Sequence, residues 1–367
     1  MIMLFFYLFY VFFLSYALVK KVHPIVLFIS LLPFLFLGSL RNMSVGNDSI
    51  EYARVYQLTG NGLEDLFTGR YEVGFLWLNK FLNFFSNNYA LLFSVCMIIV
   101  IVILFYYVKE FSELWGMSIA LFFLLRYFDM SMNVIRLSVA LSLTMLGTLA
   151  LKKNKKVIFF LLVIVAALFH RTAIVTILFL FITKKRLKFK PRNLIFLASF
   201  LILFNLFFSK ILEFIFKIFP LYSYYINSEY LDGSIRIATI LNIFVTLFIF
   251  GSGWIIEKRK NQSLALESGY SHYNNKFNID TFCFNSGIIG LIFLILSIRF
   301  NLLDRVADFF LINSIIYLPN QLSKIKNTNL LNLLIYLFIT IFMIYYIVII
   351  VFRPEWNTVY PYRFFWQ

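Results

Sequence analysis

Two ionisable residues sit side by side in the middle of an apolar run. Val157 to Thr183 reads VIFFLLVIVAALFHRTAIVTILFLFIT, and its one interruption is His170-Arg171-Thr172. A titrating or charged side chain at membrane depth is costly, so such residues face a protein-lined or wet cavity and mark function. An imidazole takes or gives a proton near neutral pH. A guanidinium offers a planar fork that grips phosphate oxygens in pairs. Together they mark an intramembrane site able to move a proton and to hold an anion. Arg136 adds a second cation inside an apolar stretch, with Asn133 three residues before it on the same helical face. Asp48 and Glu72 are carboxylates of the polar segment 41–88.

Lysines frame the run that carries the pair. Lys152, Lys153, Lys155 and Lys156 precede it; Lys184, Lys185, Arg186, Lys188, Lys190 and Arg192 follow. Loops rich in Lys and Arg stay on the cytoplasmic side, so the run should enter the membrane and return on the same face. Each arm is about 13 residues, or roughly 20 Å of helix. That falls short of a ~30 Å hydrocarbon core and fits a re-entrant hairpin with His170 and Arg171 at its apex.

The rest of the chain is the scaffold. Of 367 residues, 62% are hydrophobic and only 14% charged. Solid apolar runs recur from end to end, without the period-2 alternation of a barrel. The fold class is therefore all-α, a polytopic integral membrane protein. Hydropathy places spans at about 2–19, 24–40, 89–108, 113–129, 133–151, 193–208, 235–256, 281–298, 306–320 and 329–352. That is ten crossings plus the hairpin 157–183, in a single integral-membrane domain over 1–367. Residues 2–19 lack a preceding basic residue and a following small-residue cleavage site, so they read as a retained first span.

Placing Lys20 and Lys21 in the cytoplasm sets the N-terminus outside. The polar segments 41–88 and 209–236 then lie outside, and 257–280 lies inside. The net charge of +16 reads as topology and affinity for anionic membrane lipid, with no nucleic acid implied. Its distribution is informative. The inward set of basic residues holds 16 Lys and 3 Arg, the outward set 3 Lys and 11 Arg. The positive-inside rule accounts for the lysines and leaves the outward arginines unexplained. Arg41, Arg126, Arg136, Arg171, Arg236, Arg299 and Arg305 at the outer membrane level would suit a lipid-linked phosphate or pyrophosphate. Pairing with Asp48, Glu72, Asp129, Asp304 or Asp308, or snorkelling to headgroups, is the alternative.

Segment 41–88 contains Gly46-Asn47-Asp48, a turn opening a helix, with Tyr52 and Tyr56 one turn apart after it. Glu72 precedes an amphipathic stretch with Phe75, Leu78, Leu82 and Phe85 on one side. Two readings stay open: a helix lying on the bilayer with capping acids, or carboxylates over a sugar with Tyr52, Tyr56 and Trp77 as stacking platforms. Tyr222, Tyr224, Tyr225, Glu229, Tyr230, Asp232 and Arg236 form either an outer lid or an interfacial aromatic belt. Arg299, Asn301, Asp304 and Arg305 make a late outer turn. His23 and His272 carry no assignment. Cys96 and Cys283 are single and within apolar runs, so neither disulfide nor metal is expected. No Walker motif, Rossmann glycines or clustered His and Cys ligands occur, which argues against an ATP-driven pump, a nucleotide-sugar transferase or any cofactor.

Several of these segments, in order, resemble the EpsG family of Wzy-like membrane polysaccharide polymerases. The matching pieces are Arg41 with Gly46-Asn47-Asp48 and Tyr52, then Glu72-Val73-Gly74, then NVIRLSVALSL from Asn133, then Phe169-His170-Arg171-Thr172-Ala173, with Arg299 and Tyr360-Pro361-Tyr362 later. The chain departs from the family where Leu137 stands for a frequent Gln, and where Thr172 stands for a frequent Ser. The resemblance implies block polymerisation of undecaprenyl-diphosphate-linked repeat units at the outer leaflet of a bacterial cytoplasmic membrane, yielding capsule, exopolysaccharide or O-antigen. Its implied partners are lipid-linked glycan donor and acceptor, with a chain-length regulator and a flippase. The catalytic set expected is His170, Arg136, Asp48 and Glu72. The substrate-binding set is Arg41, Arg171, Tyr52, Tyr56, Asn133, Arg299 and Arg305. A ligase moving finished glycan, a membrane acyltransferase using His170 from the inside, and a lipid-linked oligosaccharide flippase are the rival classes.

Overall fold

The computed structural model describes residues 2–17, 23–67, 69–187, 191–218, 237–267, 277–299, 303–353 and 355–367. The expected outer lid residues Tyr222 to Arg236, and also Lys20, Lys21, His272 and Asn301, lie outside the described residues. Among the described residues the fold is helical, with one isolated antiparallel bridge, Arg41 to Phe364.

The first helices are α1 (Ile2–Ala17), α2 (Pro24–Ser39), α3 (Ser49–Gly60), α4 (Val73–Asn83), α5 (Ala90–Phe111) and α6 (Trp115–Leu124). Next come α7 (Tyr127–Asn133), α8 (Ile135–Lys152), α9 (Lys156–Ala167) and α10 (Phe179–Ile182). Then follow α11 (Pro191–Leu206), α12 (Phe208–Ile218), α13 (Ile237–Glu267), α14 (Ile279–Leu296), α15 (Asp304–Leu311), α16 (Ser314–Leu322) and α17 (Thr328–Phe352). By length and composition, α5, α8, Ile237–Arg259 of α13, α14 and α17 can cross a membrane. That makes five crossing-length helices among the described residues, against ten spans expected from hydropathy. Pro24–Ser39, Trp115–Leu124, Lys156–Ala167, Arg171–Ile182 and Ile195–Leu206 are apolar but shorter.

Two of the expected spans are broken. The stretch 113–129 ends as a helix at Leu124, because Arg126 takes the left-handed conformation at φ 67°. Such a backbone is unfavourable for a side chain with a Cβ and stops a right-handed helix. The stretch 306–320 divides into α15 and α16 around Ile312 and Asn313. Hydropathy averages across such breaks.

The chain divides into two compact units. One is Met1–Ile177 with Pro319–Gln367; the other is Leu178–Leu318. In the first unit α5 packs on α2 and α8, α8 on α9, and α6 on α1 and α17. Its interior is aromatic: Phe123 lies 4.6 Å from Tyr346 and Phe34 lies 5.2 Å from Phe128, centroid to centroid. Rings of this size bury much apolar surface and add edge-to-face attraction.

The second unit has α14 packed against α10, α11, α13 and α15. Phe179 stands edge-on to Phe282 at 5.0 Å and to Phe310 at 5.5 Å. Asn285 holds the exit of α10, donating to the carbonyls of Ile182 at 2.9 Å and Lys185 at 2.8 Å. Arg186 pairs with Glu257 and lies 3.6 Å over the Phe284 ring. Arg299 and Arg305 belong to this unit, Arg305 in the first turn of α15.

The hairpin expected over 157–183 is a helix and a turn followed by a tighter helix. α9 ends at Ala167, Leu168 to His170 make the turn, and Arg171–Leu178 forms a 3₁₀ helix that runs into α10. The 3₁₀ form rises about 2.0 Å per residue. It therefore spans more depth with few residues than an α-helix would.

The candidate anion site at the tip of the hairpin

The site is assembled within the first unit, from segment 41–88, the start of α8 and the hairpin tip. Segment 41–88 is folded. It contains α3, a 3₁₀ turn at Glu64–Phe67, and α4. Gly46 makes the bend before α3 at φ 98°, a conformation that glycine adopts without strain. A Cβ there would sit 2.9 Å from the Met132 carbonyl, so glycine also permits the chain to lie against the end of α7.

Asn133 ties this arrangement together. Its side-chain carbonyl accepts the Asp48 N–H at 3.0 Å, and its amide donates to Asn357 at 2.8 Å. The C-terminal segment thus joins the same layer. Gly46 N–H donates to the Thr358 carbonyl at 3.1 Å, and Asn42 N–H to the Arg363 carbonyl at 2.9 Å. Tyr362 donates its hydroxyl to the Leu37 carbonyl at 2.7 Å. Asp129 is buried, with Arg126 at 3.4 Å and the Tyr346 hydroxyl at 3.2 Å. Arg126 in turn donates to the Trp356 carbonyl at 2.9 Å.

α4 meets the hairpin tip backbone to backbone. The Gly74 N–H donates to the Leu168 carbonyl at 2.9 Å, and any Cβ at 74 would approach that oxygen to 2.8 Å. This contact places Glu72 beside both arginines. One Glu72 oxygen accepts from the Arg136 guanidinium, and the other from the Arg171 backbone N–H at 3.4 Å. Arg171 reaches sideways to the Gly69 carbonyl at 3.3 Å. His170 is buried, its Nδ1 hydrogen-bonded to the Thr172 hydroxyl at 2.6 Å. Phe169 packs under the tip, against the core that holds Tyr52, Tyr71 and Phe75.

Three rings surround the Arg136 guanidinium: Tyr71 at 4.6 Å, Tyr52 at 5.8 Å and Phe75 at 5.9 Å. Ring faces attract a cation, and more so when water is excluded. Burial raises the Tyr71 phenol above its ordinary value, so it stays neutral beside the charge. The Arg136 Nε is buried with no hydrogen-bond partner among the described residues. Around the Glu72 carboxylate the cluster thus offers a caged guanidinium and a helix-initial N–H, with the Arg171 guanidinium on the Gly69 carbonyl and the His170 imidazole on Thr172 in the same tip.

Glu72, Arg136, His170, Arg171 and Tyr52 are brought together. Others of the expected set are placed differently. Arg41 is 1% exposed and serves as a buried brace. It donates to the carbonyls of Gly38 and of Met132, the latter at 3.0 Å, and lies 4.1 Å from the Phe93 ring centre. Burial lowers its guanidinium to about 10, which leaves it charged at neutral pH. Tyr56 is fully buried and donates to the Ser86 carbonyl at 2.6 Å, so it offers no face to a sugar. Burial lifts its phenol to about 12. Asp48 sits at the start of α3, bound through its backbone to Asn133. Trp77 is 72% exposed on the outer face of α4. Phe85, expected on the packed side, is exposed as well; the buried face is Phe75, Leu76, Asn79 and Leu82. Tyr71 was not among the expected residues, although its place directly before Glu72 is the signal that could have found it.

The family model for EpsG matches residues 23–364. The chain belongs to the EpsG family. The match takes in all three parts of the site: segment 41–88, the start of α8 and the hairpin tip. EpsG membership together with the apolar helices makes this a multi-pass membrane protein of polysaccharide biosynthesis, of the polysaccharide-polymerase type. Comparisons with curated proteins and with solved structures returned no match.

Proposed function

We propose that this EpsG protein polymerises undecaprenyl-diphosphate-linked oligosaccharide repeats at the outer face of a bacterial cytoplasmic membrane. The observation that carries this reading is the meeting of Arg136, Glu72 and the His170-Arg171 tip within the first unit. The acceptor hydroxyl of one lipid-linked repeat attacks the anomeric carbon at the reducing end of a growing chain. The bond from that carbon to the lipid diphosphate breaks. The hydroxyl proton passes to His170, whose ring is set by Thr172. Charge accumulating on the departing diphosphate falls to Arg136 and Arg171. Preorganised donors in a site that excludes water stabilise such charge at little reorganisation cost. One displacement without a covalent intermediate would invert the anomeric centre.

Asp48, at the start of α3, stands as the second candidate base. Both oxygens of Glu72 are committed to arginine donors, which leaves His170 as the favoured base. Arg299 and Arg305 remain proposed glycan-lipid contacts of the second unit. Neither nucleotide donor nor ATP is required, because the activated bond is the one from the anomeric carbon to the lipid diphosphate, and the intact lipid diphosphate is the leaving group. A chain-length regulator and a flippase are the proposed protein partners.

A chromosomal Arg136→Ala substitution tests the reading. The expected result is single lipid-linked repeats and no long-chain polymer, with the protein still in the membrane. A full chain-length ladder would overturn it. Finished glycan lost from a different acceptor, with the lipid-linked ladder intact, would indicate a ligase.

A further inference from the structure

Glu72 holds a position that deserves comparison with a ligand. Its carboxylate is planar, anionic and 11% exposed, and it bridges the Arg136 guanidinium and the first N–H of the 3₁₀ helix Arg171–Leu178. A guanidinium facing the start of a helix is an anion seat: the helix-initial N–H groups lack intrahelical partners and carry partial positive charge. The seat is also a caged one. Tyr71, Tyr52 and Phe75 cover the guanidinium, and its Nε remains an unpartnered buried donor. The carboxylate therefore satisfies part of what the seat can bind, and one donor is left over.

We propose that Glu72 is a built-in stand-in for the phosphate oxygens of the substrate. The proposal rests on the reading of Arg136 and Arg171 as the diphosphate contacts. A phosphoryl oxygen and the Glu72 carboxylate compete for the same donors. Binding of a diphosphate swings the carboxylate away, and its departure after the reaction lets Glu72 return.

Two consequences follow from charge. A paired Glu72 neutralises Arg136, so the arginine is not left as an unpaired buried cation, which would be strongly unfavourable. Displacement then makes the seat selective: a weakly charged headgroup gives too little to dislodge a carboxylate already in place, whereas a diphosphate presents several anionic oxygens at once. Glu72 is in this sense a specificity residue, and it sets how readily spent lipid diphosphate leaves.

Purified protein in nanodiscs, titrated calorimetrically with inorganic pyrophosphate, tests this. Glu72→Gln keeps the shape and removes the competing charge, so it should bind pyrophosphate about ten-fold tighter than wild type. Glu72→Asp keeps the charge but withdraws it by one methylene. It should show a smaller gain, and it serves as the readout if the glutamine variant fails to fold. Equal or weaker binding in both variants, with Arg136→Ala still abolishing binding, overturns the stand-in and leaves Arg136 as the diphosphate contact. Wild-type binding retained in Arg136→Ala overturns the reading beneath it, and with it the stand-in. Absence of pyrophosphate binding in wild type and Glu72→Gln alike overturns it as well.

Discussion

The amide of Gly74 and the carbonyl of Leu168 are joined by a 2.9 Å hydrogen bond between two segments nearly a hundred residues apart in sequence. The bond fixes where α4 begins relative to the hairpin tip. Glu72 lies two residues before Gly74, and His170 two residues after Leu168. The carboxylate and the imidazole segment are therefore held to a common frame by backbone alone, before any side chain contributes.

Gly74→Ala should disturb that frame. The added Cβ would lie 2.8 Å from both the Leu168 carbonyl oxygen and the Leu168 Cβ. Overpacking of this kind costs about 1–3 kcal/mol. A lowered unfolding temperature in detergent and a shortened polymer ladder are expected together. An unchanged ladder and melting temperature would show that the backbone contact is dispensable.

Arg136→Lys should not preserve activity. An ammonium cannot present a flat face to Tyr71 while forking toward a carboxylate or phosphate. Polymer should fall to about a tenth of wild type or less at equal membrane abundance, roughly the loss of one good charge-assisted contact. Gel analysis of surface glycan against protein amount reads this directly. Lysine supporting a normal ladder would mean that charge alone suffices at this position.

Arg41 should behave as a brace. Arg41→Ala takes the guanidinium donor from the Gly38 carbonyl, leaves the Met132 carbonyl with the Ser49 hydroxyl alone at 3.1 Å, and opens space beside Phe93. Each orphaned buried polar group costs about 1–3 kcal/mol. Folded protein should drop, while polymer made per molecule of folded protein stays near wild type. A loss of activity per molecule, with stability intact, would instead return Arg41 to the substrate contacts.

Thr172 should be replaceable by Ser and not by Val. The 2.6 Å contact to His170 Nδ1 requires a hydroxyl, and valine has the same outline without one. An oriented general base typically contributes 10²–10⁴-fold, so loss of its orientation should cost on the order of ten-fold in polymerisation rate. Comparable rates for the Ser and Val variants would remove the hydroxyl from the account.

The parts of the site that were legible in the chain are charges set in apolar surroundings. His170 and Arg171 stand out because they interrupt a long apolar run, Arg136 because it is a charge within a mostly apolar stretch, and Glu72 because it opens an amphipathic stretch. Residues whose surroundings come from elsewhere were not legible. Arg41 looks like any arginine after a span, and its burial depends on Met132 and on Phe93. Tyr56 and Tyr52 share a helical face by spacing, yet one points to the Ser86 carbonyl and the other toward Arg136. The C-terminal strap, with Asn357 on Asn133, closes a contact more than two hundred residues long that no local pattern announces. Broken spans were hidden for a related reason: the left-handed Arg126 is a single backbone event inside an apolar average.

Reconstitution tests the central claim most directly. Purified protein in lipid vesicles would be given undecaprenyl-diphosphate-linked repeats alone, without nucleotide sugar or ATP, and the lipid-linked products resolved by size. The account predicts a ladder of lengthening chains with release of undecaprenyl diphosphate, abolished by Arg136→Ala and by His170→Ala. A ladder made equally well by either variant, or no ladder from wild type until a nucleotide sugar is added, would contradict it.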